Sequence, residues 1–212
     1  MKLPDIQALK NQHFENLENF VHKPVYDFMK RTADIVISLL ALVIFLPFWV
    51  AIAVAIKIDS KGRAIFSHMR AGKDGKEFRL YKFRTMYEGV KDQEMAPQSP
   101  HDPRITRVGK FLRRTSLDEV PQLINILKGE MSFVGPRPEM PFIVRGYTSR
   151  ERKRLLIKPG LTGMWQVLGR KDLPLHHNPE YDFYYIKNRS LLLDIRILVK
   201  TLGVVISGKG AY

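Results

Sequence analysis

Hydrophobic and polar positions are distributed very unevenly along this chain. Ile35 to Ile56, IVISLLALVIFLPFWVAIAVAI, runs for 22 residues without a charge, bounded by Asp34 and Lys57. As one straight helix it predicts a length of about 33 Å, close to the hydrocarbon thickness of a bilayer. A helix inside a small soluble domain is rarely apolar on every face for so long, so the pattern predicts membrane insertion. The run starts too late for a cleavable signal peptide, is too long, and no small-residue cleavage pattern follows it. Pro47 falls mid-run and has no N–H for the carbonyl of Val43, which predicts a kink there. Basic residues flank the run evenly, Lys23, Lys30 and Arg31 before it and Lys57, Lys61 and Arg63 after it, so no positive-inside asymmetry orients it. Two geometries satisfy these facts: a bent, re-entrant hairpin with both ends on the cytoplasmic side, or a kinked spanning helix.

The flanking segments are amphipathic or mixed. Ile6, Leu9, Phe14, Leu17, Phe20 and Val21 recur at roughly helical spacing, predicting a lead-in helix over 5–30 that Pro24 ends or bends. It either lies at the membrane interface or packs on the catalytic part. Ala64–Arg70 and Glu77–Arg84 alternate around AGKDGK, the pattern of a β-hairpin with a glycine-containing loop. Neither GxxxxGK[ST] nor GxGxxG is present, so this is a turn, not a phosphate loop. Lys91–Pro103, with three prolines, predicts a loop and candidate lid. Lys110–Leu127 is helical in pattern, in one or two pieces, Thr148–Leu156 is a basic helix, and 179–207 reads as one long apolar-rich helix. His176-His177 is more simply a loop than a metal site. Trp49 and Trp165 fit packing or lipid-interface roles.

Charge changes the picture. The 212 residues carry 35 Lys plus Arg against 21 Asp plus Glu, a net charge of +14, which favours polyanions such as nucleic acid, acidic lipids or phosphorylated substrates. The excess is concentrated in the middle: residues 101–170 hold fourteen basic and six acidic residues, whereas 1–30 are balanced at four each. Cysteine is absent, which excludes a disulfide scaffold, a zinc finger, an Fe–S site and a cysteine nucleophile.

Within that basic region, Ser116-Leu117-Asp118-Glu119 has the form of a capping box, with Pro121 in the opening turns of the helix. Asp118 and Glu119 stand beside Arg113 and Arg114, with Arg104, Arg107 and Lys110 upstream and Arg137 downstream. A carboxylate among cations stays ionised and can act as a nucleophile or bind Mg²⁺. Arginines grip phosphate oxygens with paired bonds. The cluster suits phosphate-ester chemistry. Its bland reading is a helix cap among surface ion pairs.

The stretch Asp102–Glu139, DPRITRVGKFLRRTSLDEVPQLINILKGEMSFVGPRPE, closely resembles the signature of the bacterial sugar transferases, the monotopic phosphoglycosyl transferases. YKFRTM at Tyr81–Met86, KPGLTGMWQVLGR at Lys158–Arg170 and LLLDIRILVKT at Leu191–Thr201 extend the likeness over about 30–212. The resemblance implies an enzyme that moves a sugar-1-phosphate from a UDP-sugar to polyprenol phosphate in two steps, with Mg²⁺ as cofactor. Its setting would be the cytoplasmic face of the bacterial inner membrane, among membrane lipids and without nucleic acid. It implies Asp118 as nucleophile and candidate metal ligand, Glu119 in proton handling or metal support, and Arg113 and Arg137 on phosphate. Lys82, Arg84 and Arg114 are further candidate phosphate contacts, and Asp102 and Gln166 fall in family motifs. The apolar run would be a re-entrant helix–break–helix with the break at Pro47. The tail resembles hexose-type members, which points to glucose or galactose. The expected fold is α+β and mainly helical. It comprises a lead-in helix over 1–30, a re-entrant segment over 31–60, and a cytoplasmic catalytic domain over 61–212 with a short β-hairpin and interfacial helices. The competing reading from charge alone is a membrane-tethered basic module that binds nucleic acid or anionic lipid without chemistry. Such a module has no need of the Asp118-Glu119 pair, which weakens its field.

Overall fold

The computed structural model describes residues 3–4, 6–12, 14–89, 97, 99, 101–168 and 178–207. The segment predicted as one lead-in helix is instead a short helix α1 (Ile6–Lys10) and a 3₁₀ turn (Leu17–Phe20), separated at Asn16, which is left-handed with φ 51°. Leu9 and Leu17 are fully buried, so this segment belongs to the core of the globular part. Pro24 does not end a helix but opens α2 (Pro24–Ile44), at the first-turn position where a missing N–H costs nothing.

α2 has two halves. Its first half is docked: Lys23 ahead of it donates to the carbonyls of Lys187 and Arg189, and Lys30 pairs with Asp194 at 2.8 Å. Arg31 donates to the carbonyls of Ile126 and Leu127 at 2.6 and 2.7 Å, and Asp34 accepts the N–H of Phe133. Its second half leaves the body and exposes Leu39, Leu40, Val43 and Ile44. The chain then breaks at Phe45 and continues as α3 (Leu46–Asp59), bent by 65° from α2. The break therefore lies two residues before Pro47, which takes a first-turn position of α3, where proline is tolerated. Trp49 secures the bend: its indole N–H donates to the carbonyl of Ala41, and its ring lies against Phe45 and Phe48. α3 returns to the body, where Ile52 and Ile56 are buried against Phe83 and Leu112. Both ends of the bent pair thus stand on one globular body, and no single helix among the described residues is long and apolar enough to cross a membrane.

The predicted hairpin forms from β1 (Ile65–Ala71) and β2 (Glu77–Phe83), antiparallel, with His68 opposite Leu80 and Phe66 opposite Lys82. Asp74 and Gly75, both at positive φ, close its turn. The candidate lid at Lys91–Pro103 lies mostly outside the described residues, as do His176 and His177. α4 (Arg107–Thr115) is capped by Thr106, whose hydroxyl accepts the N–H of Gly109 at 2.9 Å, and Asp59 of α3 accepts the N–H of Val108. A Cβ on Gly109 would come within 2.1 Å of the Thr85 carbonyl oxygen, so only glycine lets α4 sit this close to the end of β2.

The Lys110–Leu127 stretch is two helices. Between α4 and α5 (Gln122–Lys128) lies a single 3₁₀ turn, Leu117–Glu119, and Ser116 is left-handed with no side-chain capping bond. The predicted capping box at Ser116 and Glu119 is absent; the capping box found in the fold joins Thr148 and Glu151. β3 (Ser132–Val134) leads into the Gly135–Pro138 turn, followed by the short helices α6 (Pro141–Arg145) and α7 (Ser149–Arg152). The expected basic helix at Thr148–Leu156 ends early and continues as a 3₁₀ turn, Lys153–Leu156. β4 (Gly160–Thr162) pairs parallel with β3, and α8 (Met164–Leu168) follows.

The predicted long C-terminal helix is also two, α9 (Glu180–Asn188) and α10 (Leu191–Ser207). Arg189 at the joint binds Asp27 and the Val21 carbonyl, while Ser190 accepts the N–H of Leu193 and starts α10. α10 buries Leu193 and Ile197 and exposes Leu192, Ile195, Val199, Leu202 and Ile206, an i, i+3, i+7 stripe on its outer side. Asp194 accepts from Tyr26, Lys30 and Tyr185, tying α2, α9 and α10 together.

Candidate active site

The left-handed turn at Ser116 reverses the chain and brings Asp118 and Glu119 back against the end of β2. Lys82, near the end of β2, reaches Glu119 at 2.8 Å and Asp118 at 4.0 Å. Arg137, at the centre of the turn after β3, stands 3.9 Å from Glu119. Arg113, in the last turn of α4, donates to the Thr85 hydroxyl at 2.8 Å and lies in the fields of both Asp118 and Asp102. Asp102 is held by the Arg104 guanidinium and backbone, with a closest contact of 2.7 Å. These hydrogen bonds hold its carboxyl down at about 2.

Asp118 is only 9% exposed. Burial pushes its carboxyl up to about 6, opposed by Lys82 and Arg113 and reinforced by the charge of Glu119. At neutral pH it is therefore mostly ionised yet poorly hydrated, which is the condition of a competent oxygen nucleophile. Among the described residues no three His, Cys, Asp or Glu side chains converge as a metal cage. An adjacent carboxylate pair does fit a cation of the Mg²⁺ type, which takes one or two carboxylates and completes its shell with water and substrate phosphate.

Of the residues singled out in the sequence, the fold gathers Asp118, Glu119, Lys82, Arg113 and Arg137. Arg114, one step round α4, is exposed. Arg84 is a correction to the expected phosphate contacts: it is buried, and its guanidinium donates to the Ser60 and Lys61 carbonyls behind α3. It fixes the return of α3 to the body. Pro47 lies in the bent apolar pair. Gln166 sits on α8 with its amide oxygen and nitrogen buried and unpaired among the described residues.

Two groups escaped the sequence reading. His68 and Arg70 share with Lys82 one face of the hairpin, and the Arg70 Nε–H donates to His68 Nε2 at 2.8 Å. Burial, and then the charges of Arg70, Lys82 and Arg137, push the imidazole down to about 3, so it is neutral and free to accept that bond. The period-2 spacing of His68 and Arg70 was the available signal; the register that sets them beside Lys82 was not. The second group lies behind Arg137. Arg154, 2% exposed, binds Asp182 at 2.7 Å and the Tyr147 hydroxyl at 2.6 Å, and its remaining nitrogen donates to the Arg137 carbonyl at 3.2 Å. This buried pair braces the turn that presents Arg137. No local spacing in the sequence marks it.

Comparison with known proteins gives consistent matches. Residues 25–208 match the family described as bacterial sugar transferase. An uncharacterized sugar transferase of Haemophilus influenzae is 44% identical over 199 residues, 87% of this chain and 42% of that protein. The undecaprenyl-phosphate galactose phosphotransferase of Salmonella typhimurium is 41% identical over 211 residues, 92% of this chain and 44% of its own length. The exopolysaccharide production protein ExoY of Sinorhizobium fredii is 38% identical over 205 residues and is covered over 91% of its length. The chain thus spans under half of the first two relatives and nearly all of the third.

Proposed function

This chain belongs to the bacterial sugar transferase family, and on that premise we propose that it is a phosphoglycosyl transferase. The proposed reaction moves a sugar-1-phosphate from a UDP-sugar to polyprenol phosphate and starts the assembly of a surface polysaccharide. The observation that carries the reading is the ionisable, buried Asp118 beside Glu119, faced by Lys82, Arg113 and Arg137. In the first step a carboxylate oxygen of Asp118 attacks the β-phosphorus of the donor. The bond from that phosphorus to the bridging oxygen breaks, and UMP leaves with the electron pair. In the second step a phosphate oxygen of the acceptor attacks the same phosphorus and the Asp118 carboxylate leaves, regenerated. Lys82 and Arg137 offset charge on the phosphate oxygens, and Glu119, held by Lys82, serves the acceptor's proton. Mg²⁺, resting on Asp118 or Glu119, would neutralise the diphosphate and its leaving group.

The bent pair α2–α3 supports membrane insertion as a re-entrant hairpin at the cytoplasmic face of the inner membrane. From Ile35 to Phe45 the first arm is about 15 Å long, half the hydrocarbon thickness. Its two ends are bonded to one body through Arg31 and Asp34 on one side and Asp59 on the other. The exposed stripe of α10 suits a helix lying in the interface. Such a body holds its nucleophile near the headgroup layer, where a polyprenol phosphate presents its charge. Resemblance to hexose-type members favours glucose or galactose as the sugar.

The test is mass spectrometry of the wild-type protein incubated with a UDP-hexose and Mg²⁺ but no acceptor. A hexose-phosphate adduct on the peptide carrying Asp118, formed with release of UMP, is the expected result. An adduct on Glu119, or UMP release that requires acceptor and leaves no trapped adduct, contradicts the assignment.

A further inference from the structure

The cleft contains a cation that the two-step scheme leaves unused. Lys82 is occupied by Glu119, Arg137 stands at the edge of the same carboxylate, and Arg113 is bonded to Thr85. Arg70 differs. It is half-buried on β1, and its side chain's one hydrogen bond among the described residues is from Nε to His68 Nε2. Its two terminal nitrogens have no acceptor among the described residues. Glu139 and Glu119 are near enough to act on it electrostatically but form no ion pair with it. Arg137 faces it as a second positive charge.

Such an arrangement is electrostatically unfavourable. A guanidinium partly withdrawn from water and set beside another cation loses hydration and regains only the unpaired fields of Glu139 and Glu119. Burial and Arg137 accordingly lower its proton affinity, to about 10. His68 imposes a geometry on this strained cation. The neutral imidazole takes the Nε–H, which fixes the plane of the guanidinium and leaves its paired terminal N–H groups open. Paired terminal N–H groups match two oxygens of a phosphate.

We propose that Arg70, oriented by His68, is an additional phosphate-binding residue of this cleft, contacting a substrate phosphate other than the one that Asp118 attacks. This rests on the reading of the site as a phosphoglycosyl transfer centre. The phosphate is either the nucleotide-side phosphate of the donor or the phosphate of the acceptor. Arg70 is the contact residue and His68 a positioning residue.

The experiment compares Arg70→Gln, Arg70→Lys, His68→Ala and His68→Gln in the full chain, with KM measured separately for UDP-sugar and for polyprenol phosphate. UDP binding is measured by calorimetry, independently of turnover. Arg70→Gln is expected to raise one KM about tenfold or more, the scale of a lost charge-assisted contact, with kcat changed less and the thermal midpoint not lowered. Arg70→Lys should recover only part of it, because lysine lacks the paired geometry. His68→Ala should raise the same KM by a smaller factor, and His68→Gln, whose amide oxygen can accept, should restore it. A higher donor KM with weaker UDP binding assigns the donor; a higher acceptor KM with unchanged UDP affinity assigns the acceptor. Both KM values unchanged, whether kcat or the thermal midpoint falls or not, overturns the subsite and leaves the transferase reading standing. If the wild-type protein turns over no UDP-sugar yet binds UDP through Arg70, the transferase reading fails and the phosphate site stands. If UDP binding too is indifferent to Arg70, both fail.

Discussion

At Asp118 the requirements of folding and of chemistry oppose each other. A carboxylate raised to about 6 binds its proton more tightly in the folded protein than in the unfolded chain. Its ionisation therefore lowers stability as pH rises from about 4 to above 6, and the protein is least favoured where the proposed nucleophile is most available. Asp118→Asn removes that burden along with the proposed nucleophile. We expect the variant to abolish UMP release and to be more stable than wild type at pH 7, by about 1–3 kcal/mol. The difference should vanish near pH 4, in denaturant titrations at the two pH values. A variant less stable at pH 7 would show that the charge is compensated in the fold. The same property predicts that the acceptor-free burst of UMP has an acid limb near pH 6 instead of near 4. The pair was legible in the sequence because basic residues crowd it and because its surroundings match a family signature. Its burial was not: SxxE spelled a helix cap, and the reversal at Ser116 depends on a left-handed residue that the tetrapeptide does not announce. Arg84 was misread for a related reason. It sits in the same KFRTM run as Lys82, and period-2 spacing would place the two on one face, but β2 ends at Phe83 and the Arg84 guanidinium is drawn instead to the Ser60 and Lys61 carbonyls.

Among the elements, the return of α3 to the globular part is the joint on which the hairpin depends. Ile56 is 1% exposed against Phe83 and Leu112, whereas Ile58, two residues on, is 81% exposed. Ile56→Ala is expected to destabilise the detergent-solubilised protein by about 2–5 kcal/mol. Ile58→Ala should stay within about 0.5 kcal/mol. Equal effects in a chemical denaturation series would mean that α3 is not seated on α4 as described. Element existence was largely readable here: the hairpin, the apolar run and the helical stretches all occur close to where their periodicity placed them. Element continuity was not. The lead-in and the C-terminal stretch each read as one longer helix, and the 110–127 stretch as one or two, because apolar spacing persists across the break. What interrupts them is tertiary or single-residue chemistry: Asn16 and Ser116 turn left-handed, and Arg189 is drawn away to Asp27.

For the molecule as a whole, the decisive relation is between the apolar arms and the body that carries both of their ends. The first arm is fixed by Arg31 on the carbonyls ending α5 and by Asp34 on β3, and the second by Asp59 on the N-terminus of α4. A spanning topology would have to break one of these sets and leave Asp34, 5% exposed, or Asp59 without its backbone partner. Buried polar groups stripped of partners cost about 1–3 kcal/mol each, so the hairpin is favoured by more than its apolar length alone. The sequence could not decide this, because evenly placed basic flanks are compatible with either topology. The absence of cysteine makes the question directly accessible. Single cysteines at His22 and at Lys61, both exposed on the body side of the arms, should both resist a membrane-impermeant thiol reagent added to intact cells. Both should react in inverted membrane vesicles. A cysteine at Ile44, near the bend, should react poorly in either preparation and become labelled only after detergent is added. Labelling of one flank but not the other in intact cells would establish a span. It would also require that at least one of the Arg31, Asp34 and Asp59 contacts be released in the membrane.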